Sequence, residues 1–209
     1  MKCVKVDFLI FPNVEELDVI GPFEVFGKIN DVTDNHCELS ILAPTNMTVC
    51  SHGLCILRTH PLDPEQCGTI LVVPGGKGAR EPSKERSEVV DFLCTAYTGY
   101  EFILSVCTGT FLLDEAGLLK NTVCTTHSLF QEELKKRGHI IVPYRVVHHG
   151  NLITCTGVTS GIDASLYAVS LVVGTHIAEK IVQRIEYPFS VNQILEMVHV
   201  ISADDQEML

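Results

Sequence analysis

Cys107 holds the position in this chain best suited to nucleophilic chemistry. An apolar run from Phe102 to Val106 ends at it, Thr108 and Gly109 follow, and a helical pattern of Leu112, Leu113, Ala116 and Leu119 comes next. A buried strand that runs into a helix through small residues lifts its central side chain clear of the sheet, as in a nucleophile elbow. It also sets the sulfur near a helix N-terminus, where unpaired N–H groups and the positive dipole end favour a thiolate. Gly109 lets the backbone pass closely at the turn. The same pattern fits a buried structural thiol, a common setting for cysteine.

Four other positions could serve that sulfur. Asp18 stands between Leu17 and Val19, whereas Glu15 and Glu16 read as a solvated face. It is either a cap for the helix that follows or a carboxyl facing Cys107. Beside a thiolate it would tend to be protonated, since adjacent negative charges oppose each other, and it could then hold and donate a proton. Gly75-Gly76 is a tight turn or half of an oxyanion-type hole completed by the Thr108 N–H. The Thr108 side chain either caps the helix or bonds a reacting water or substrate. His127 is a scaffold histidine or a second partner for Cys107. His148 and His149 are neighbours on a strand and point to opposite faces, which makes them a poor metal pair; they read as hairpin surface.

These residues need a frame. Residues 4–11 and 38–43 read as strands, 49–53 and 55–62 as a small antiparallel excursion before Pro64, and 69–73 as a strongly apolar strand ending in Pro74-Gly75-Gly76. Pro22 is expected at the first position of a main helix, after a short turn or helix. Helices are expected from Ser83, after the 102–106 strand as far as Gly117 or Asn121, and over 128–138. Lys135-Lys136-Arg137 would cap the last of these at its C-terminal turn. A short strand at 123–126 leads to His127. Residues 140–147 and 151–155 read as a hairpin, and a last long helix runs from about 160 to 187. Residues 188–209 are weakly patterned. Strands alternating with helices give a mostly parallel sheet with helices on both faces, and ligands of such sheets bind at the strands' carboxyl ends. Asp18, Gly75-Gly76 and Cys107 all fall there. No repeat or linker appears, so one domain over 1–209 is expected, with its core at about 4–187.

Composition narrows the function classes. The chain has 209 residues, 46% of them hydrophobic, with 20% charged and a net charge of −11. An acidic chain without a basic face is not expected to bind nucleic acid. No apolar stretch has membrane-spanning length. Nine cysteines without a CxxC pair, and no metal-ligand spacing, point to free thiols in a reduced, cytoplasmic compartment and to no metal.

Taken together, VDFLIFPNVEELDVIGPFEVF, ILVVPGG, SVCTGTFLLDEAGLL, TTHSLFQEEL and RVVHHGNLITCTGVTSGIDASL resemble the ThiJ/PfpI superfamily, related in fold to class I glutamine amidotransferases, and within it the isonitrile hydratase group. The resemblance covers most of residues 4–187. It implies a flavodoxin-like three-layer α/β sandwich, a homodimer, a small-molecule substrate and no cofactor. It implies Cys107 as nucleophile, Asp18 as its carboxyl partner and Thr108 as a further site residue. PfpI-type peptidases and glyoxalase-like members often carry histidine after the cysteine; Thr108 there turns the reading from a protease. Cys155-Thr156 and Phe23 depart from the pattern and would reshape the substrate pocket. Some relatives carry an AraC-type DNA-binding domain; the chain ends at Leu209, so direct transcriptional control is not expected. The implied reaction is hydration of an isonitrile to an N-substituted formamide. The alternatives are glyoxalase or deglycase action on 2-oxoaldehydes, and a redox-sensing cysteine without catalysis.

Overall fold

The computed structural model describes residues 3–201. In chain order the strands are β1 (Cys3–Leu9), β2 (His36–Leu42), β3 (Met47–Val49), β4 (Cys55–Leu57), β5 (Ile70–Val73), β6 (Phe102–Val106), β7 (Val123–Cys124), β8 (Ile140–Ile141), β9 (Val146–His149), β10 (Leu152–Cys155) and β11 (Val198–Val200). The helices are α1 (Glu16–Gly27), α2 (Ile29–Val32), α3 (Lys84–Ala96), α4 (Thr110–Glu115), α5 (Gln131–Lys136), α6 (Ser160–Val172), α7 (Thr175–Arg184) and α8 (Val191–Glu196).

Seven strands form the central sheet in the order β11-β9-β10-β6-β5-β1-β2. Its pairings are parallel except for the β9–β10 hairpin, which turns at Gly150 with φ +64°. Every residue of β5 and β10 is buried, as happens when helices cover both faces of a sheet. Successive residues of β6 define the two layers, because strand side chains alternate in direction. The Ser105 hydroxyl meets Thr110 of α4 at 3.2 Å, whereas Val106 packs at Gly161 of α6. The result is a flavodoxin-like α/β sandwich. The excursion after β2 is an antiparallel hairpin, β3–β4.

Several expectations change. Pro22 lies inside α1 rather than at a helix start. Having no N–H, it leaves the Asp18 carbonyl without its i+4 partner. α1 runs on through it, and α6 packs closely there: a Cβ on Gly161 would sit 3.3 Å from Pro22 Cγ, and one on Gly21 3.1 Å from Ile162 Cγ1. The long helix over 160–187 is two helices, split at Gly174, whose φ of +118° belongs to the left-handed region. The strand over 140–147 is likewise divided. β8 pairs with β7 in a separate ribbon, and β9 begins after Pro143, which has no N–H for a ladder. Residues 188–201, weakly patterned in the sequence, contain a helix and a strand. Ser190 and Gln193 form a capping box for α8, and β11 adds a parallel edge strand beside β9. Residues 202–209 lie outside the described residues.

Other local readings hold. Ser83 caps α3 by accepting the Arg86 N–H at 3.1 Å, and Gly117 (φ +73°) follows the end of α4. Lys135 and Lys136 occupy the last turn of α5, and Arg137 bonds Glu133 at 2.7 Å and Asp114 at 2.9 Å.

Candidate active site

The sheet order assembles the site. β6, β5 and β1 are parallel neighbours, so the loops leaving their carboxyl ends lie side by side. The first two loops are stitched together: Val14 and Gly76 form a bridge, the Glu15 N–H donates to the Gly75 carbonyl at 3.0 Å, and the Gly78 N–H donates to the Asn13 carbonyl at 3.1 Å.

Cys107 stands on the third loop with φ +58° and 6% exposure. A left-handed non-glycine residue costs on the order of 1–3 kcal/mol and persists only where its surroundings enforce it. Here they do. The Cys107 carbonyl accepts the Thr126 hydroxyl at 2.8 Å and the Thr110 hydroxyl at 3.4 Å. Gly109 presses against the end of β5, where an added Cβ would land on the Val73 carbonyl oxygen. The elbow is thus built from a strained cysteine, a glycine and two threonines.

Asp18, in the first turn of α1, is fully buried. Its Oδ2 accepts the Gly75 N–H at 2.9 Å. The Cys107 thiol faces the same carboxyl and, as a donor, favours its ionised form, yet Oδ1 has no partner in ordinary hydrogen-bond geometry. Burial outweighs these donors and, with the charge of Glu15, raises the carboxyl from 3.8 to about 7. The direction is the one expected from the sequence, but the main cause is desolvation, not a neighbouring thiolate.

Thr108 is buried too. Its Oγ1 accepts the Gly76 N–H at 3.0 Å and donates to the Gly76 carbonyl at 3.2 Å. The Gly75 and Gly76 amides are therefore engaged by Asp18 and Thr108 rather than standing open as an oxyanion pair, as buried N–H groups must find acceptors. Gly75 has no room for a side chain, since a Cβ would lie 2.5 Å from Thr108 N and 3.0 Å from Asp18 Oδ2. The thiol of Cys107 is pushed up, first by burial and then by the charge of Asp18; the backbone and hydroxyl of Thr108 pull the other way without prevailing. Only a single 3-10 turn and a six-residue helix follow Cys107, and burial prevails over the donors of Thr108.

His127 follows Thr126 and caps the next helical turn. Its Nδ1 accepts the Leu129 N–H at 3.3 Å, its ring packs on Phe130 at 5.8 Å, and Gly157 lies against its edge. His148 and His149 are not hairpin surface. His148 Nδ1 bonds the Tyr167 hydroxyl at 2.7 Å on the α6 side, while His149 is buried and its Nδ1 accepts the Val123 N–H at 2.8 Å.

Sequence reasoning missed two neighbours. Thr126 holds the Cys107 carbonyl; the TTH stretch was its only signal. Cys155 is fully buried at the end of β10, in register with Val106, and burial raises its thiol to about 12 although the Ser160 side chain pulls the other way. Its place beside the elbow depends on strand register, which local pattern does not encode. Elsewhere, Glu15, Glu16 and His52 bring ligand-type atoms within 4.8 Å of one another; His52 Nδ1 already bonds Glu16 at 2.8 Å, with the two glutamates half-buried and the histidine exposed. A cavity of about 340 Å³ lined by Asp7, Ser40, His60 and Cys67 contains none of the residues around Cys107.

A thiol on a left-handed elbow at the end of a central parallel strand, faced by a buried carboxyl from a neighbouring loop, defines a class of cysteine-centred flavodoxin-like proteins. The chain belongs to the DJ-1/PfpI family, whose model matches residues 4–171. It is 33% identical over 184 residues to the isonitrile hydratase of Pseudomonas putida, a match spanning 88% of this chain and 78% of that protein. A THiJ/PfpI family protein from Pseudomonas syringae superposes with a TM-score of 0.78 at 26% identity, over 94% of this chain and 88% of that one. The oxidized DJ-1 of Toxoplasma gondii superposes with a TM-score of 0.75 at 18% identity, over 89% and 100% of the two chains; that likeness concerns the fold alone.

Proposed function

We propose that this chain is a cysteine-dependent hydro-lyase that adds water to an isonitrile and releases an N-substituted formamide. The observation that carries the reading is the buried Asp18 carboxyl beside Cys107, with Oδ1 unpartnered and a pKa near 7. Such a group holds or yields a proton at neutral pH. The likeness to the P. putida isonitrile hydratase supports the substrate class.

The reaction runs in two halves. Asp18 takes the thiol proton, the Cys107 sulfur attacks the isonitrile carbon, and Asp18 returns the proton to that carbon, giving a thioimidate. Asp18, again ionised, takes a proton from water as the water oxygen adds to the same carbon. Nitrogen is protonated, the C–S bond breaks, and formamide and thiol are restored. Thr108 keeps the Gly75-Gly76 turn, and through it Asp18, in place. The partner in this reading is a small molecule; the homodimer and the cytoplasmic setting expected from the sequence belong to the same proposal.

The test is turnover of a simple alkyl isonitrile by purified protein, with formamide followed by NMR. Cys107→Ala abolishes formamide production and keeps the wild-type circular dichroism spectrum. Wild-type rates in that variant would overturn the mechanism. Lactate from methylglyoxal, with no formamide from isonitriles, would move the function to 2-oxoaldehydes.

A further inference from the structure

Cys155 has no part in the reaction above, yet it sits against the nucleophile. It ends β10, and β10 pairs with β6 in the register Cys155–Val106, one residue before Cys107. Neighbouring strands lie about 4.8 Å apart, and disulfides form between Cα atoms about 4.4–6.8 Å apart. That register sets the second thiol beside the elbow, where its charge also acts on the Cys107 thiol. The two sulfurs differ in access: Cys107 keeps 6% exposure, and Cys155 has none. A small oxidant reaches the first and not the second.

We propose that Cys155 is a resolving cysteine, forming a reversible disulfide with Cys107 when a hydroperoxide oxidises the site. Asp18 takes the Cys107 proton, and the sulfur attacks one oxygen of the peroxide. The O–O bond breaks, and the alcohol (or water) leaves with the proton from Asp18, so that Cys107 becomes a sulfenic acid. The Cys155 sulfur then attacks the Cys107 sulfur. The S–O bond breaks, and water departs with the Cys155 proton. Two thiols and one hydroperoxide give one disulfide, one alcohol and one water. The nucleophile is thereby masked and kept from irreversible sulfinic acid. The inference concerns the sulfur used in the proposed hydration but does not depend on that activity.

The experiment exposes reduced wild-type protein, Cys155→Ser and Cys107→Ser to a few equivalents of hydrogen peroxide. Intact masses are read on unblocked samples; in parallel, remaining thiols are blocked with N-ethylmaleimide before digestion, and linked peptides are read. Wild type loses about 2 Da, reversibly with dithiothreitol, and yields a peptide pair joined at Cys107 and Cys155. Cys155→Ser instead gains about 32 Da on Cys107, the sulfinic acid, and Cys107→Ser gives no linked pair. Sulfinic acid on wild-type Cys107 at the rate seen in Cys155→Ser, or linkage through Cys50 and Cys55 instead, overturns the proposal. The wild-type peptide map decides the matter even if the Cys155 variant fails to fold.

Discussion

Asp18 is the residue whose environment makes the sharpest prediction. Its carboxyl is buried, and its pKa rises from 3.8 to about 7 on folding. The folded state therefore holds the proton more tightly than the unfolded chain does. Stability is greatest below the unfolded value and falls as pH rises through about 7, by at most roughly 4 kcal/mol at 1.36 kcal/mol per unit. Urea denaturation at pH 5 and pH 8 should show about 2–3 kcal/mol of that fall in wild type and a flatter profile in Asp18→Asn. The same variant should lower kcat by about 100-fold or more and erase the inflection near pH 7 in its pH profile; an unchanged inflection would assign it to another group. Asp18 could be singled out in the sequence because it is an acid between two apolar residues after a first buried strand. The engagement of its Oδ2 by Gly75 could not be, because nothing in PGG says which acceptor its amides will meet.

Two glycines separate two kinds of strain in the supporting elements. At Gly109 the obstacle is space, since a Cβ would strike the Val73 carbonyl where the elbow crosses β5. Gly109→Ala should push the elbow off that strand, cost about 1–3 kcal/mol and reduce turnover with the stability. At Gly174 nothing lies within 4 Å of an added Cβ, and the φ of +118° is the whole difficulty. Gly174→Ala should cost about 1 kcal/mol or more and leave kcat unaltered; paired denaturation and kinetic measurements on the two variants distinguish the cases. The elbow was readable because a short apolar run, small residues and a helical pattern stand in direct succession. The break at Gly174 was not, because a lone glycine in a helical pattern costs only about 1 kcal/mol, and apolar periodicity continues across it. β11 escaped notice for a related reason: a three-residue edge strand is too short to display a period.

The layers are tied across the molecule by Asp163, which is fully buried in α6. Its Oδ2 accepts Arg145 Nε at 2.8 Å, from just before β9, and its Oδ1 accepts the Tyr187 hydroxyl at 2.8 Å, from beyond α7. Asp163→Ala would leave the partly exposed Arg145 guanidinium to Thr159 and solvent and the Tyr187 hydroxyl without its acceptor, and should cost about 1–3 kcal/mol, seen as a lower urea midpoint; a midpoint unchanged within error would remove this tie from the account. The parallel α/β plan followed from the alternation of apolar runs and helical patterns, but such a clasp joins segments far apart in sequence and leaves no local trace. Among the described residues no helix is long and apolar enough to cross a membrane. The sheet order also has a consequence for how the protein is made. Asp18, Gly75 and Cys107 are all synthesised before β10, which covers the flank of β6, and before β11, which borders β9. A chain still emerging from the ribosome, N-terminal part first, carries its thiol on an open sheet edge. Part of the shelter around Cys107 waits for β10, so a readily alkylated Cys107 would mark a nascent or unfinished molecule.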